Sequence, residues 1–160
     1  MTSLYQPALD PATVTAHDSS GYPEPYRSRV LPRKKLRLGD ALGLTQIGVN
    51  LTTLSPGKES GMRHWHTHED EFVYVLEGEV VLRTEGGEQL LTAGMCAGFC
   101  AGATEGHQLI NRSAQAAVYL EISNRATHAD TGHYSDPDVD MVWNAPSARG
   151  RFTRRDGSPV

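Results

Sequence analysis

GMRHWHTHEDEFVYVLEG, residues 61–78, is the stretch on which the fold turns. His64 and His66 stand two apart. On a β-strand alternate side chains leave the same face with Cα atoms about 7 Å apart, so both imidazoles reach one ion. Glu71 follows His66 by five positions, and in an unbroken strand it would point the other way. The polar run Thr67-His68-Glu69-Asp70 must therefore turn or bulge to re-aim it. Beyond Glu71 the chain continues Phe72-Val73-Tyr74-Val75-Leu76, pauses at Glu77-Gly78 and resumes as Val80-Val81-Leu82, a pattern that reads as a hairpin. His107, from a distant strand, completes a candidate metal set of His64, His66, Glu71 and His107.

Outward from this stretch the pattern stays β. Upstream, residues 44–54 alternate Ile47, Val49 and Leu51 with Gly48, Asn50 and Thr52 and stop at Ser55-Pro56-Gly57. Downstream, Glu85-Gly86-Gly87-Glu88 is a tight-turn signal between residues 80–84 and 89–92, and residues 95–99 form another strand. Residues 107–111 and 116–122 read as a final pair around Arg112-Ser113-Ala114. About eight short strands of this spacing suit a double-sheet jelly-roll barrel. Within residues 71–76, Glu71, Val73 and Val75 share one face, and Phe72, Tyr74 and Leu76 share the other. An outer row of that size calls for a cover, and an isologous homodimer is the expected one.

Residues 57–78 resemble the first motif of the cupins, a glycine, then H-x-H, four residues, E, six residues, G, with His64, His66, Glu71 and Gly78 matching. Residues 94–111 are similar to the second motif, G-x5-P-x-G-x2-H-x3-N, through Gly94, Gly102, His107 and Asn111. Two departures stand out: Cys100 replaces the proline, and four residues instead of two separate Gly102 from His107. The resemblance spans residues 43–123 and is to small single-domain cupins of the kind named sugar phosphate isomerases. It implies an all-β fold, the double-stranded β-helix or jelly-roll barrel, and the aperiodic residues 1–42 are expected as an extended N-terminal arm packing on it. The barrel itself would occupy residues 43–124, and residues 125–160 would form a C-terminal extension with a short hairpin of 139–143 against 151–153.

Composition agrees with one domain. The chain has 160 residues, 16 glycines and 9 prolines, enough length to bury roughly two-thirds of the unfolded surface and enough punctuation for many short strands. Four prolines, Pro7, Pro11, Pro23 and Pro25, fall in the first 30 residues, which lack strand or helix periodicity. A net charge of -4 speaks against general affinity for nucleic acid or anionic membrane. No signal-like or membrane-length apolar segment is evident, so a cytoplasmic location is expected. Cys96 and Cys100, about 13 Å apart if the strand between them is extended, cannot bridge and read as reduced thiols, Cys100 as a small buried hydrophobe.

The candidate set suits one divalent ion, Zn, Fe, Mn, Ni or Co. By resemblance, the activity would be isomerisation of a sugar phosphate through a metal-stabilised enediolate, with Glu71, His68 or Glu69 as the catalytic base. Arg63 and the cluster Arg151 to Arg155 are the candidate phosphate anchors. The basic runs Arg33-Lys34-Lys35-Leu36-Arg37 and Arg149 to Arg155 otherwise read as solvated faces. Two alternatives share the ligands: an Fe(II)-dependent dioxygenase, and a non-catalytic module that binds a small molecule. His68 also reads as a solvated turn residue, Trp65 as core, and Asn111 either as cavity lining or as a turn former. His17, His128 and His133 lack partners at ligand spacing and read as surface.

Overall fold

The computed structural model describes residues 4, 6–126, 129–144 and 151–160. Two short helices, α1 (Tyr26–Val30) and α2 (Leu38–Ala41), flank β1 (Arg33–Arg37). Then come β2 (Ile47–Leu54), β3 (His64–His66), β4 (Glu71–Glu77), β5 (Glu79–Thr84), β6 (Gly87–Thr92), β7 (Cys96–Phe99) and β8 (Gln108–Ile110). They are followed by β9 (Ala117–Asn124), β10 (Thr131–Tyr134), β11 (Val142–Asn144) and β12 (Arg151–Thr153). The protein is nearly all-β. Among the described residues no helix is long and apolar enough to cross a membrane.

Three antiparallel sheets share these strands, in the orders β1-β2-β9-β4-β7, β12-β11-β10-β3 and β6-β5-β8. Alternation drives their packing: Val73 and Val75 of β4 are buried while Phe72, Tyr74 and Leu76 face out, 38%, 37% and 41% exposed. One core cluster joins Leu54, Val73, Val75, Val80, Leu82, Leu109 and Tyr119 across two sheets. Each such aliphatic side chain contributes about 1.5–3 kcal/mol by leaving water. A second cluster, Val30, Met62, Tyr134, Val139 and Met141, ties α1 to the C-terminal strands. Strand β10 has no counterpart in the sequence reading. It pairs with β3 along Gly132↔His66 and Tyr134↔His64.

Two expected strand pairings are corrected. The stretch 71–82 is not a hairpin, because β4 pairs with β7 and β9 whereas β5 pairs with β6 and β8. At Gly78, φ +72°, the chain turns a corner between sheets, and a Cβ there would meet the Ala116 carbonyl oxygen at 2.9 Å. Nor do residues 107–111 pair with 116–122: β8 lies against β5, and β9 lies between β2 and β4. Local spacing suggested neighbours where a jelly roll sends successive strands to different sheets. The turn inferred for residues 67–70 does separate sheets, carrying the chain from β3 to β4. It is pinned by Thr131 N–H donating to Thr67 Oγ1 at 2.9 Å and Ala101 N–H donating to Asp70 Oδ1 at 2.7 Å.

Candidate metal centre

His64 and His66 leave the same face of β3, their ring centroids 5.1 Å apart. His107 is aligned to them by backbone: His64 N–H donates to His107 O at 3.1 Å and His107 N–H donates back to His64 O at 2.8 Å. The His64 and His107 rings come within 4.9 Å. From the facing sheet Glu71 Oε2 approaches all three Nε2 atoms, His107 at 2.9 Å, His66 at 3.7 Å and His64 at 3.9 Å. The donor atoms of His64, His66 and Glu71 all lie within 4.8 Å of one another. His107 stands outside that tighter group but faces the same carboxylate oxygen. Phe99 stacks flat on its ring, centroids 3.5 Å apart and 4° from parallel.

The outer hydrogen bonds set what the inner atoms present. His64 Nδ1 lies 2.7 Å from the Met62 carbonyl oxygen, and a carbonyl only accepts, so Nδ1 carries the proton. His66 Nδ1 donates to Asp130 Oδ2 at 2.5 Å. Burial, partly offset by the Glu71 charge, lowers the His64 pKa to about 4. His64 is therefore neutral near pH 7 and turns an Nε2 lone pair toward Glu71. Glu71 Oε2 itself is buried without a hydrogen-bond partner of acceptable geometry. Burial alone would raise the Glu71 pKa, but the close approach of His107 and its electrostatic interaction with the surrounding imidazoles hold it well below the usual carboxylate range. Lone pairs of nitrogen and a carboxylate oxygen pointing at one another repel unless a cation lies between them. The donor set thus fits a hard or borderline divalent ion.

The remaining candidates divide. Glu69 is half-buried, accepts from Ala126 N–H at 3.0 Å and lines a cavity of about 240 Å³ together with His66, Glu71 and His107. Its pKa is raised by burial and by the Asp130 and Glu71 charges. His68 is exposed, with Nδ1 2.9 Å from Thr67 Oγ1, and lines none of the described cavities. Asn111 is the turn former: buried, it donates to the Leu54 and Gln115 carbonyls and accepts from Ser113. Trp65, expected in the core, is instead half-buried, stacks on His133 at 4.2 Å and borders the cavity. Cys100 corrects similarly, being exposed just past the end of the edge strand β7; Cys96 is exposed and both thiols are free. His17 is exposed, and His128 and Arg149 lie outside the described residues.

The cupin-domain family model matches residues 50–123. A sugar phosphate isomerase of the cupin superfamily from Silicibacter pomeroyi is 42% identical, with 96% of each chain covered and a TM-score of 0.90. This chain belongs to the cupins. A candidate sugar phosphate isomerase from Acidithiobacillus ferrooxidans is 30% identical over 80% of each chain, with a TM-score of 0.70. The tetracenomycin polyketide synthase protein TcmJ of Streptomyces glaucescens is 30% identical over 111 residues, 69% of this chain and 72% of that protein.

In this cupin several site residues escape sequence reasoning. Asp130, 1% exposed, comes from a segment with no metal-ligand spacing and reaches His66 only through the pairing of β3 with β10. Arg63, an expected anchor, is neutralised by Asp136 at 2.9 Å and Glu85 at 3.0 Å. Arg155 spends its guanidinium on the carbonyls of Tyr134, Asp136 and Val139, and Arg154 lies 3.6 Å from Asp140. Neither they nor Arg151 line a described cavity. Arg33 and Lys35, read as a solvated face, alternate inward and line a second cavity of about 250 Å³ that shares Glu71, His64 and His107. One signal was available: in RKKLR, positions 33 and 35 have the same strand parity.

Proposed function

We propose that this cupin holds one divalent metal ion on His64, His66, Glu71 and His107 and isomerises a small sugar phosphate. The observation that carries the reading is the convergence of the His64, His66 and His107 Nε2 atoms on one buried Glu71 oxygen, with His64 neutral and its Nε2 lone pair turned inward. Support for the substrate class comes from the similarity to the Silicibacter pomeroyi isomerase. A bound ion supplies Lewis-acid polarisation of a carbonyl and neutralises charge developing on adjacent oxygens. Zn, Fe, Mn, Ni and Co all accept this donor set.

Around that ion the side chains have separate tasks. Glu71, with its depressed pKa, is a poor base and a good ligand. Glu69 lines the same cavity, and its raised pKa makes it the better carrier of a proton between neighbouring carbons. Phe99 and Trp65 line the cavity and give it apolar surface beside the reacting carbons. A cavity of about 240 Å³ suits a small metabolite.

The test is elemental analysis of protein purified without added metal, followed by an aldose–ketose phosphate screen with and without oxygen. Stoichiometric metal and oxygen-independent turnover are expected. Turnover that stops on removing oxygen would replace the isomerase with a dioxygenase, and metal bound without any turnover would leave a binding module. We also propose a homodimer formed through the outer row Phe72, Tyr74 and Leu76.

A further inference from the structure

Arg33 lines the second cavity without a counter-charge among the described residues. Its Nη1 donates to the Ser60 carbonyl oxygen, and among the described residues no carboxylate comes within 4.0 Å of its guanidinium. Lys35, two residues along the same face of β1, is paired with Glu121 at 2.6 Å. Across the same cavity the Tyr119 hydroxyl is fully buried and makes no hydrogen bond of acceptable geometry. Burial, and then the charge and proximity of the Glu121 carboxylate, keep that phenol protonated well above its ordinary range, so the hydroxyl is a donor with Glu121 as its neighbour. A buried donor and an unneutralised guanidinium both cost free energy in a folded protein unless something meets them.

From this juxtaposition we infer that Arg33 and the Tyr119 hydroxyl form a receptor for an oxyanion, the phosphate or carboxylate tail of the substrate whose other end meets the metal centre. The cavity joins the two places, since Arg33, Tyr119, Glu71 and His107 all line it. Charge agrees as well. Arg33 and Lys35 offset Glu71 and Glu121 within the cavity, and a divalent ion at the histidine cluster raises the sum to about +2, which an anionic substrate lowers. Guanidinium is the natural partner for phosphate or carboxylate because it offers two parallel N–H donors. The receptor strand, β1, lies outside residues 50–123 that match the family.

This inference rests on the proposed metal-dependent reading for the substrate's other end, and the experiment keeps the two apart. Inorganic phosphate and acetate are titrated separately into the full-length protein, with metal content measured for every variant. Arg33→Gln weakens binding of the preferred anion by at least about tenfold at unchanged metal content, and Arg33→Lys gives an intermediate loss. Tyr119→Phe weakens it severalfold without lowering the melting temperature, because the neighbouring Glu121 keeps its pairing with Lys35 when the hydroxyl is gone. If Arg33→Gln unfolds through loss of the Ser60 contact, Tyr119→Phe decides. Phosphate binding alone identifies a phosphate receptor, acetate binding a carboxylate receptor. Unchanged affinity in Arg33→Gln or in Tyr119→Phe overturns the inference, as does failure of the wild type to bind either anion at millimolar concentration. Absence of metal in the wild type, by contrast, overturns the metal reading while the Arg33 comparison is still read in its own column.

Discussion

The Asp130 carboxylate accepts from His66 Nδ1 at 2.5 Å and, through its other oxygen, from His68 N–H at 2.9 Å and Thr67 Oγ1 at 3.3 Å. One buried side chain from the C-terminal segment thereby orients a ligand of the candidate centre and fixes the turn that follows it. Burial opposes ionisation of Asp130, but these donors outweigh it and hold its pKa below the usual range. A carboxylate behind a ligating imidazole fixes the tautomer and strengthens the lone pair on the far nitrogen. Asp130→Asn is expected to lower metal affinity about 10–100-fold, read by competition with a chromophoric chelator. Equal affinity in the variant would remove Asp130 from the centre.

His64 gives the metal-free protein a pH dependence whose sign follows from its depressed pKa. Folded, it titrates at about 4, with burial the main cause; unfolded, near 6.5. The unfolded chain therefore takes up the proton first, and stability that is fully present above pH 6.5 is lost as pH falls toward 4. The total approaches about 3 kcal/mol at 1.36 kcal/mol per unit. Glu71 acts in the same direction only below about pH 4.5, the ordinary carboxylate value, since its folded pKa is lowered. His66 has a raised folded pKa, because Asp130 and Glu71 outweigh its burial, so its contribution is in place throughout the acid side. Urea midpoints between pH 6.5 and 4.5 should fall in the wild type and lie flatter in His64→Gln. Parallel profiles would count against a buried neutral His64.

Much of the centre was legible because its geometry is local. His64, Trp65 and His66 form a three-residue strand whose parity is fixed by the backbone, and the burial of Val73 and Val75 against exposed Phe72 and Tyr74 follows the same rule. What escaped depends on contacts distant in sequence. Asp130 meets His66 across 64 positions, and Arg33 enters the cavity because β1 pairs with β2, placing Lys35 opposite Thr52. Residues 71–82 were misread as a hairpin for the same reason: two strands joined by a glycine corner look alike in sequence whether they pair or part, and Gly78 sends them to different sheets.

Gly106 sets the approach of His107. It is buried, and an added Cβ would lie 2.1 Å from Ser135 Oγ and 2.9 Å from Ser135 Cβ. Rotating the hydroxyl relieves the first contact but not the second, so the backbone ahead of His107 has to shift. Gly106→Ala is expected to cost about 1–3 kcal/mol in urea unfolding. Adding Ser135→Gly should recover most of it, and a double-mutant cycle showing no coupling would place the cost elsewhere.

The exposed row on β4 predicts the assembly state. Phe72, Tyr74 and Leu76 lie on one face at alternate positions, and a two-fold axis across such a row makes it self-complementary. Sedimentation velocity at micromolar concentration should show a dimer, and Tyr74→Glu should shift it toward monomer with little change in folded stability. A monomeric wild type would dismiss the proposed homodimer.

Glu69 and Glu71 stand two residues apart and should fail in different ways. Glu71 Oε2 is the point on which three imidazoles converge, so Glu71→Gln is expected to lose metal, and turnover with it. Glu69 contacts the Ala126 amide and lines the cavity without approaching the His64 or His107 nitrogens within ion-pair distance. Glu69→Gln should therefore keep metal at wild-type stoichiometry while kcat on an aldose phosphate drops about 10²–10⁴-fold, the range for loss of a general base. Exchange of the substrate's C2 hydrogen with deuterated water separates the roles further: it disappears in Glu69→Gln if Glu69 carries the proton. Persistence of that exchange at the wild-type rate would move the base to another residue, with exposed His68 the next to replace.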